Sequence, residues 1–253
     1  MSSFLQDHPF AVSAYFESSL VLTYAVKKEE LLKYIPECLE PDTLHDEYAF
    51  IAVAMVQTRS LRPKGFPGFL GNDFFLLGYR VFVKYHTNAG KRLRGLYILR
   101  SQTNKRKMQT MGNIFTHYNY STIDVDWSIK NDQYKIHSDL GKLNIEVDLG
   151  NQSPSLPTGT PFTDWKEARR YAGPLPFTFT YNQPKKEVLI IEGVRENWKP
   201  RPVEVLKHEV GFIDELNLPG AILANAFIIE NIPYYWKKGR KETWQPQENL
   251  SRV

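Results

Sequence analysis

An α+β chain dominated by antiparallel sheet is the architecture this sequence predicts, and three observations predict it. Aromatic residues make up 13% of the 253 positions, with 14 Tyr and 15 Phe, and flat rings pack well on pleated surfaces. Strand-length runs of β-branched and aromatic residues recur about ten times, against three short helical stretches. Two of those runs flank Thr87-Asn88-Ala89-Gly90-Lys91, where glycine supplies the positive φ of a hairpin turn. With so many strands, a closed or nearly closed β-barrel with a few short flanking helices is the economical way to hide strand edges.

In chain order, Ser19–Val26 reads as a strand and Lys27–Ile35 as a short helix closed by Pro36. Tyr48–Thr58 is a long strand. Arg62–Asn72, with two prolines and three glycines, is a loop with room for one helical turn. Asp73–Tyr85 and Leu93–Gln102 form the hairpin. Lys105–Gly112 is a helix with Asn104 as N-cap and Gly112 just past its end. Tyr118–Ile129, Gln133–Ser138 and Lys142–Leu149 are strands, turning at Lys130-Asn131-Asp132 and Leu140-Gly141. A Pro, Ser and Gly loop over Asn151–Gly159 leads to a helix over Asp164–Tyr171, capped by Thr163. Phe177–Tyr181 and Glu187–Val194 pair around Asn182-Gln183-Pro184, and Val203–His208 and Ala221–Ile229 complete the sheet. Residues 1–253 read as a single domain, without internal repeat or long linker, with a core over about 15–230. Residues 231–253 read as a basic tail; from Pro233 to Val253 it carries tryptophans and has no legible period.

Composition narrows the function classes. The net charge of +4 is mild and does not by itself point to nucleic acid. A single cysteine, Cys38, forbids an intrachain disulfide and fits a reducing, cytoplasmic setting. It reads as a small half-buried filler rather than a nucleophile. The start of the chain, with Asp7, His8 and Pro9, is not a signal peptide, and the longest apolar run, Ala49–Val56, is too short to span a bilayer. Sequons at Asn119, Asn151 and Asn249 are therefore read as chance. The six histidines lack metal-ligand spacing, no phosphate-binding or dinucleotide motif occurs, and no cofactor is expected.

At the hairpin the chain resembles a known family. Phe74-Phe75-Leu76-Leu77-Gly78-Tyr79-Arg80-Val81-Phe82-Val83, then Gly90, then Arg94-Gly95-Leu96-Tyr97-Ile98-Leu99, is similar to the core motif of the uncharacterised YqjF-like family (domain of unknown function 2071). That motif reads roughly F-x-E-x-N-x-R-x-Y-V, a turn, then G-V-Y-F-F. Tyr34-Ile35-Pro36, Arg62-Pro63 and Phe162–Tyr171 match further pieces, and the likeness covers about residues 15–230. The resemblance implies the acetoacetate-decarboxylase-like superfamily and its cone-shaped β-barrel with an internal pocket. The decarboxylase works through a Schiff-base lysine and a nearby glutamate. Here Leu76 stands at the family's glutamate and Gly78 at its asparagine, and the lysine pair would fall near Phe115–Asn119, where there is no lysine. The Schiff-base apparatus is therefore expected to be absent.

Strand alternation puts Phe74, Leu76, Gly78, Arg80, Phe82 and Lys84 on one face. A guanidinium among such neighbours is costly unless paired. Arg80 is thus either an anchor for a carboxylate or other anion, with Gly78 leaving space beside it, or half of an ion pair with Glu192 or Glu230. Arg100, two residues beyond Ile98, extends the same site or lies on the surface. His117, Asn119 and Tyr120 sit where the decarboxylase keeps its lysines. Asn119 and Tyr120 are candidate ligand contacts, and His117 and Lys105 are candidate catalytic groups. Lys105, Arg106 and Lys107, beside the basic turn Lys91, Arg92 and Arg94, read as an anion site or a solvated face.

Three functions follow: a ligand-binding barrel for a small organic acid or anion, an enzyme acting on an organic acid or ketone without a Schiff base, and weak nucleic-acid binding through the basic clusters. The first fits the missing lysine and glutamate. A small carboxylate is the expected partner, a membrane and nucleic acid are not, and assembly into identical copies stays open.

Overall fold

Long alternating runs fold here into strands longer than their apolar cores, because polar residues at both ends keep pairing. The computed structural model describes residues 4–196 and 198–246. The order begins β1 (Val12–Lys27), α1 (Lys28–Leu32), β2 (Glu40–Pro41), β3 (Tyr48–Pro63), β4 (Asn72–His86), β5 (Arg92–Thr103) and α2 (Arg106–Phe115). It continues through β6 (Tyr120–Thr122), β7 (Asp126–Lys130), β8 (Gln133–Ser138), β9 (Leu143–Asp148) and α3 (Trp165–Ala168). It ends with β10 (Phe177–Asn182), β11 (Glu187–Arg195), β12 (Arg201–Pro202), β13 (Glu204–Val210), α4 (Gly211–Glu215), β14 (Ile222–Trp236) and β15 (Arg240–Thr243). This is an α+β chain, mostly β with a few short helices.

Eleven strands form one sheet whose path β14-β1-β3-β4-β5-β10-β11 returns to β14 through Gly193↔Trp236, Val194↔Tyr235 and Arg195↔Tyr234. Most of the pairing among the described residues is antiparallel, with two parallel contacts. β5 pairs parallel with β10 over Gly95–Tyr97 and parallel with β6 over Ser101–Thr103. The long excursion between β5 and β10 supplies the crossover that parallel neighbours require. A second, four-stranded sheet, β13-β9-β8-β7, takes the strand at Glu204–Val210 that the sequence reading had placed in the main sheet.

Other expectations shift as well. Tyr118–Ile129 is two strands, β6 and β7. The basic tail is structured through Thr243: residues 231–236 belong to β14, and β15 pairs with β11. Residues 247–253, with Asn249, lie outside the described residues. Gly112 lies inside α2 rather than past its end, and Asn104 does not cap it; its side chain accepts the Phe75 N–H instead. α3 is shorter than expected and is capped by Asp164, which accepts from the Glu167 N–H. Thr163 joins this cap by donating its N–H and hydroxyl to the Glu167 carboxylate.

The ring sheet buries both faces. Phe75, Leu77, Tyr79, Val81 and Val83 of β4 pack into one cluster with Tyr134, Ile136, Ile145 and Val147 of the small sheet and Phe212 of α4. Phe74, Leu76 and Phe82 pack into the other, with Phe16, Phe50, Met108, Phe162, Tyr171, Phe227 and Tyr234. The alternation expected along β4 is the alternation observed. Cys38 is buried, and burial pushes its thiol up to about 12, which makes it an inert filler. No helix among the described residues is long and apolar enough to cross a membrane.

Candidate functional site

The Arg80 face runs continuously round the ring. Cross-strand partners share a face, so the register carries it from Arg80 to Ile98 and Leu96, on to Thr178, and then to Tyr234 and Trp236 beside Val12. Residues of this face from β1, β3, β4, β5, β10 and β14 together line a cavity of about 280 Å³. The cavity therefore lies against the inner face of the ring and is partly open to solvent. α2 adds Met108, Met111, Gly112 and Phe115, and the N-terminal segment adds His8, Pro9 and Phe10. These two elements are tied together by Gln6 Nε2 donating to the Asn113 carbonyl at 3.0 Å and by the edge-on Phe10–Phe115 pair.

Behind Arg80 the ring is plugged. Phe82 meets Tyr171 edge-on with centroids 5.4 Å apart, and Tyr171 lies 4.0 Å from Phe50. Beyond that plug, the fully buried Asp42 carboxylate is surrounded by Lys84 at 3.6 Å, Arg170 at 3.3 Å and Arg94. Lys84, on Arg80's strand, thus finds an acid. Arg80 does not.

Among the described residues no ion pair or hydrogen bond to Arg80 is made, and its Nε is buried without a partner. The acids considered for it are engaged elsewhere: Glu192 with Lys237 and Glu230 with Arg201. Burial pushes the guanidinium below its ordinary range, opposed by the nearby phenols of Tyr234, Tyr120 and Tyr118. Those phenols respond in kind. Burial pushes the Tyr120 hydroxyl up to about 12 and raises Tyr118 and Tyr234 as well, with the Arg80 charge pulling each back. All three stay protonated donors at neutral pH. Gly78 does not leave the expected space for a ligand: the Arg80 guanidinium itself lies over it, Nε being 2.9 Å from where a Cβ would stand. Ser19 Oγ, also on the cavity wall, is buried without a partner.

The other candidates fall elsewhere. Tyr120 lines the cavity, its ring pressed against Gly112. Arg100 does not extend the site. A bulge between the Tyr79↔Arg100 and Arg80↔Ile98 pairs adds one residue to β5, and one residue reverses the face. Arg100 instead bonds Glu215 at 3.0 Å and stacks on Phe212 at 4.1 Å. His117 lies in an outer groove with its Nε2 3.2 Å from Asp7 Oδ1, a carboxylate that Lys241 also holds. Asn119 is exposed in a left-handed turn with φ 51°, and Lys105 is exposed at the start of α2. The two basic clusters are not neighbours: Lys91–Arg94 and Lys105–Lys107 stand at opposite ends of β5, roughly 35–40 Å apart by strand rise. The sequence reading missed Ser101, Tyr118, Thr178, Tyr234 and Trp236 as cavity residues. Ser101 stands opposite Gly78 only because of the β5 bulge, which nothing in the sequence marks.

None of the residues lining the cavity is a lysine or a carboxylate. The wall thus offers one unpaired cation, several hydroxyl donors and an otherwise apolar surface. It can neutralise and orient an anion. It has no amine with which to form a Schiff base.

Residues 14–231 match the model of the DUF2071 family, an uncharacterized conserved protein. Among curated proteins nothing matches the chain. The fold is similar to that of an acetoacetate decarboxylase, with TM-score 0.54 and 14% identity over 92% of this chain and 89% of that one. It is also similar to acetoacetate decarboxylase from Legionella pneumophila subsp. pneumophila str. Philadelphia 1, with TM-score 0.55 and 11% identity over 91% and 87%. A third similar structure is the enduracididine biosynthesis enzyme MppR complexed with pyruvate, with TM-score 0.55 and 10% identity over 94% and 92%. At such identities the likeness is one of fold.

Proposed function

The chain belongs to the DUF2071 family of uncharacterized conserved proteins, and from that premise we propose that it binds a small organic acid or other small anion inside a closed β-barrel, with Arg80 as anchor. The observation that carries this reading is the half-buried Arg80 side chain, whose Nε is buried without a partner, which has no carboxylate partner among the described residues and which sits on a cavity wall. A buried cation without an internal partner is stabilised by an external one. Tyr120, Tyr118 and the Ser101 hydroxyl stand where they add donors to the anion's remaining lone pairs. We read the strand ring, whose path returns to β14, as that barrel, and residues 1–253 as one domain.

Thermal melts with acetate, pyruvate, acetoacetate and inorganic phosphate test the reading. A bound anion at about 100 times its Kd adds roughly 2.7 kcal/mol of apparent stability. That gain disappears in Arg80→Met. Equal shifts in the wild-type protein and the variant, or none with any anion, would refute it.

A second reading, an enzyme acting on an organic acid or ketone without a Schiff base, is favoured by the Tyr118 and Tyr120 side chains, which share the cavity wall with Arg80. Their hydroxyls can hydrogen-bond charge that develops on a bound substrate. Turnover of acetoacetate without an adduct trapped by borohydride would support it. Trapping on one lysine would restore the Schiff-base route and contradict the lysine-free cavity wall.

A further inference from the structure

The cavity is polarised along its length. Register orders the wall, because residues paired across β1, β3 and β4 stand at one level. The Arg80 guanidinium lies over Gly78, which pairs with Ala54 on one side and Ser101 on the other. Behind it, Phe82, Phe50 and Tyr171 close the ring. One step outward come Leu76, Val56 and Ser19, which pair across the three strands. Phe16 follows, stacked on Tyr234 with centroids 4.8 Å apart. Farther out are Leu61, Val12 and Trp236, with Met108, Met111 and Phe115 of α2 also on the wall.

From the guanidinium, at the level of Gly78 and Ala54, to the level of Leu61 and Asn72 is six residues of β4, or roughly 20 Å of strand. Over that length the wall is mostly aliphatic, aromatic or thioether, interrupted by Ser19, by the hydroxyls near Arg80, and by His8, Thr116 and Arg62. At the outer end Arg62 is already served by its own loop: Nε donates to the Phe66 carbonyl at 2.9 Å and Nη1 to the Ser60 carbonyl at 2.8 Å. The loop that follows exposes Phe66, Phe69 and Leu70, with Phe69 84% exposed.

A short hydrophilic acid would satisfy Arg80 and leave this apolar length unfilled. A long chain with one charged end would fill both parts. We propose that the cavity takes an amphipathic monocarboxylate with an unbranched apolar chain of about 8–12 carbons, its carboxylate on Arg80 and its chain running past Leu76 and Phe16 toward Leu61 and Trp236. This rests on the anion reading above and adds to it the ligand's shape and polarity.

Titration calorimetry on the delipidated full chain tests it, with acetate, hexanoate, decanoate, 1-decanol and the C10 dicarboxylate sebacate. Affinity should rise roughly tenfold or more for each two methylenes from hexanoate to decanoate, following the burial of about 0.8 kcal/mol per methylene. Decanol should bind at least tenfold more weakly than decanoate, and so should sebacate, whose second charge would end among Leu61, Val12 and Trp236 beside an Arg62 whose donors its own loop already takes. Arg80→Met should remove the preference for decanoate over decanol. Leu61→Glu places a negative charge where the chain should end. It should weaken decanoate at least tenfold and leave acetate unchanged, and it keeps the test alive if Arg80→Met does not fold.

Acetate binding as tightly as decanoate, both through Arg80, would overturn the chain-length proposal and leave the anion reading standing. No binding by any carboxylate, or decanoate binding that ignores Arg80→Met, would overturn both. Sebacate binding more tightly than decanoate would replace the monocarboxylate with a dicarboxylate and so overturn the proposal.

Discussion

Holding a guanidinium charged among Leu76, Leu96 and Ile98 costs free energy that the nearby phenols return only in part and no carboxylate of the wall returns. Arg80→Met keeps an unbranched stem, two heavy atoms shorter, and removes the charge. In the ligand-free protein it should raise stability by roughly 1–3 kcal/mol, since replacing a poorly compensated buried charge by an apolar side chain is commonly neutral or favourable. The urea midpoint measures this; a midpoint lowered by a similar amount would mean that Arg80 has a hidden internal partner. Residue-level reading of the sequence reached Arg80 because β4 alternates without interruption through it. It missed Tyr234 because the inward-facing residues of β14 are Phe227 and Ile229, then Ile232, Tyr234 and Trp236. The phase slips by one beside Asn231, which adopts φ 57°. A period-two search through that slip finds nothing. The same kind of slip at Ser60, φ 54°, lies between Val56 and Leu61 on β3.

At the scale of elements, α2 carries a glycine where alanine would ordinarily strengthen a helix by roughly 0.5–1 kcal/mol. Gly112 is there because the Tyr120 ring leans on it: a Cβ at that position would stand 2.3 Å from Tyr120 Cδ2. The Tyr120 backbone is held by Asn113, which accepts the Tyr120 N–H at 2.7 Å and donates to the Tyr120 carbonyl at 2.9 Å. The residue therefore cannot back away from α2 as a whole. Gly112→Ala should destabilise the protein by about 1–3 kcal/mol despite the gain in helix propensity, and adding Tyr120→Leu should restore most of the loss. Thermal melts of the two single variants and the double form the cycle; additive losses would mean that the contact is not the cause. This close approach is why Gly112 misled the helix boundary: a glycine that ends a helix and one that admits a neighbour look alike in sequence. The hairpin of β4 and β5, by contrast, was legible from its turn and two alternating runs. The bulge between them was not, because no special residue marks it, and with it went the orientation of Arg100.

For the whole molecule, the aromatic richness that suggested sheet also sets its response to alkali. Burial raises the tyrosines lining or plugging the ring above their ordinary 10.0, Tyr120 and Tyr171 to about 12 and Tyr118 and Tyr234 in the same direction. The folded state therefore keeps these protons when the unfolded chain has lost them. Their contribution is fully present below about pH 10 and is lost as pH rises through the folded values near 12. Stability measured by urea titration should thus be level from neutral pH to about 9 and fall steeply above 10. Phenolate absorbance should appear in two steps, exposed rings first. A single step centred near 10 with the protein still folded would show that the rings are not enclosed. The mainly β architecture was readable at this scale. The parallel contacts and the second sheet were not, since β5 meets β10 about eighty residues along the chain and β9 meets β13 more than fifty along, and neither pairing leaves a local trace.

The ring's ladders differ greatly in length. β1, β3 and β4 are stitched along most of their residues, whereas β5 meets β10 through Gly95–Tyr97 alone and β11 meets β14 through Gly193–Arg195 alone. The β10–β11 hairpin, with β15 on its edge, therefore hangs between two narrow seams. Thermal energy should part those seams long before it parts the long ladders, so the wall would breathe by swinging this hairpin outward while the rest holds. In amide hydrogen exchange, the strand positions at both seams would lose protection well ahead of Leu20–Leu22 and Ile51–Val53, and a molecule sealed inside would leave at the rate of that swing.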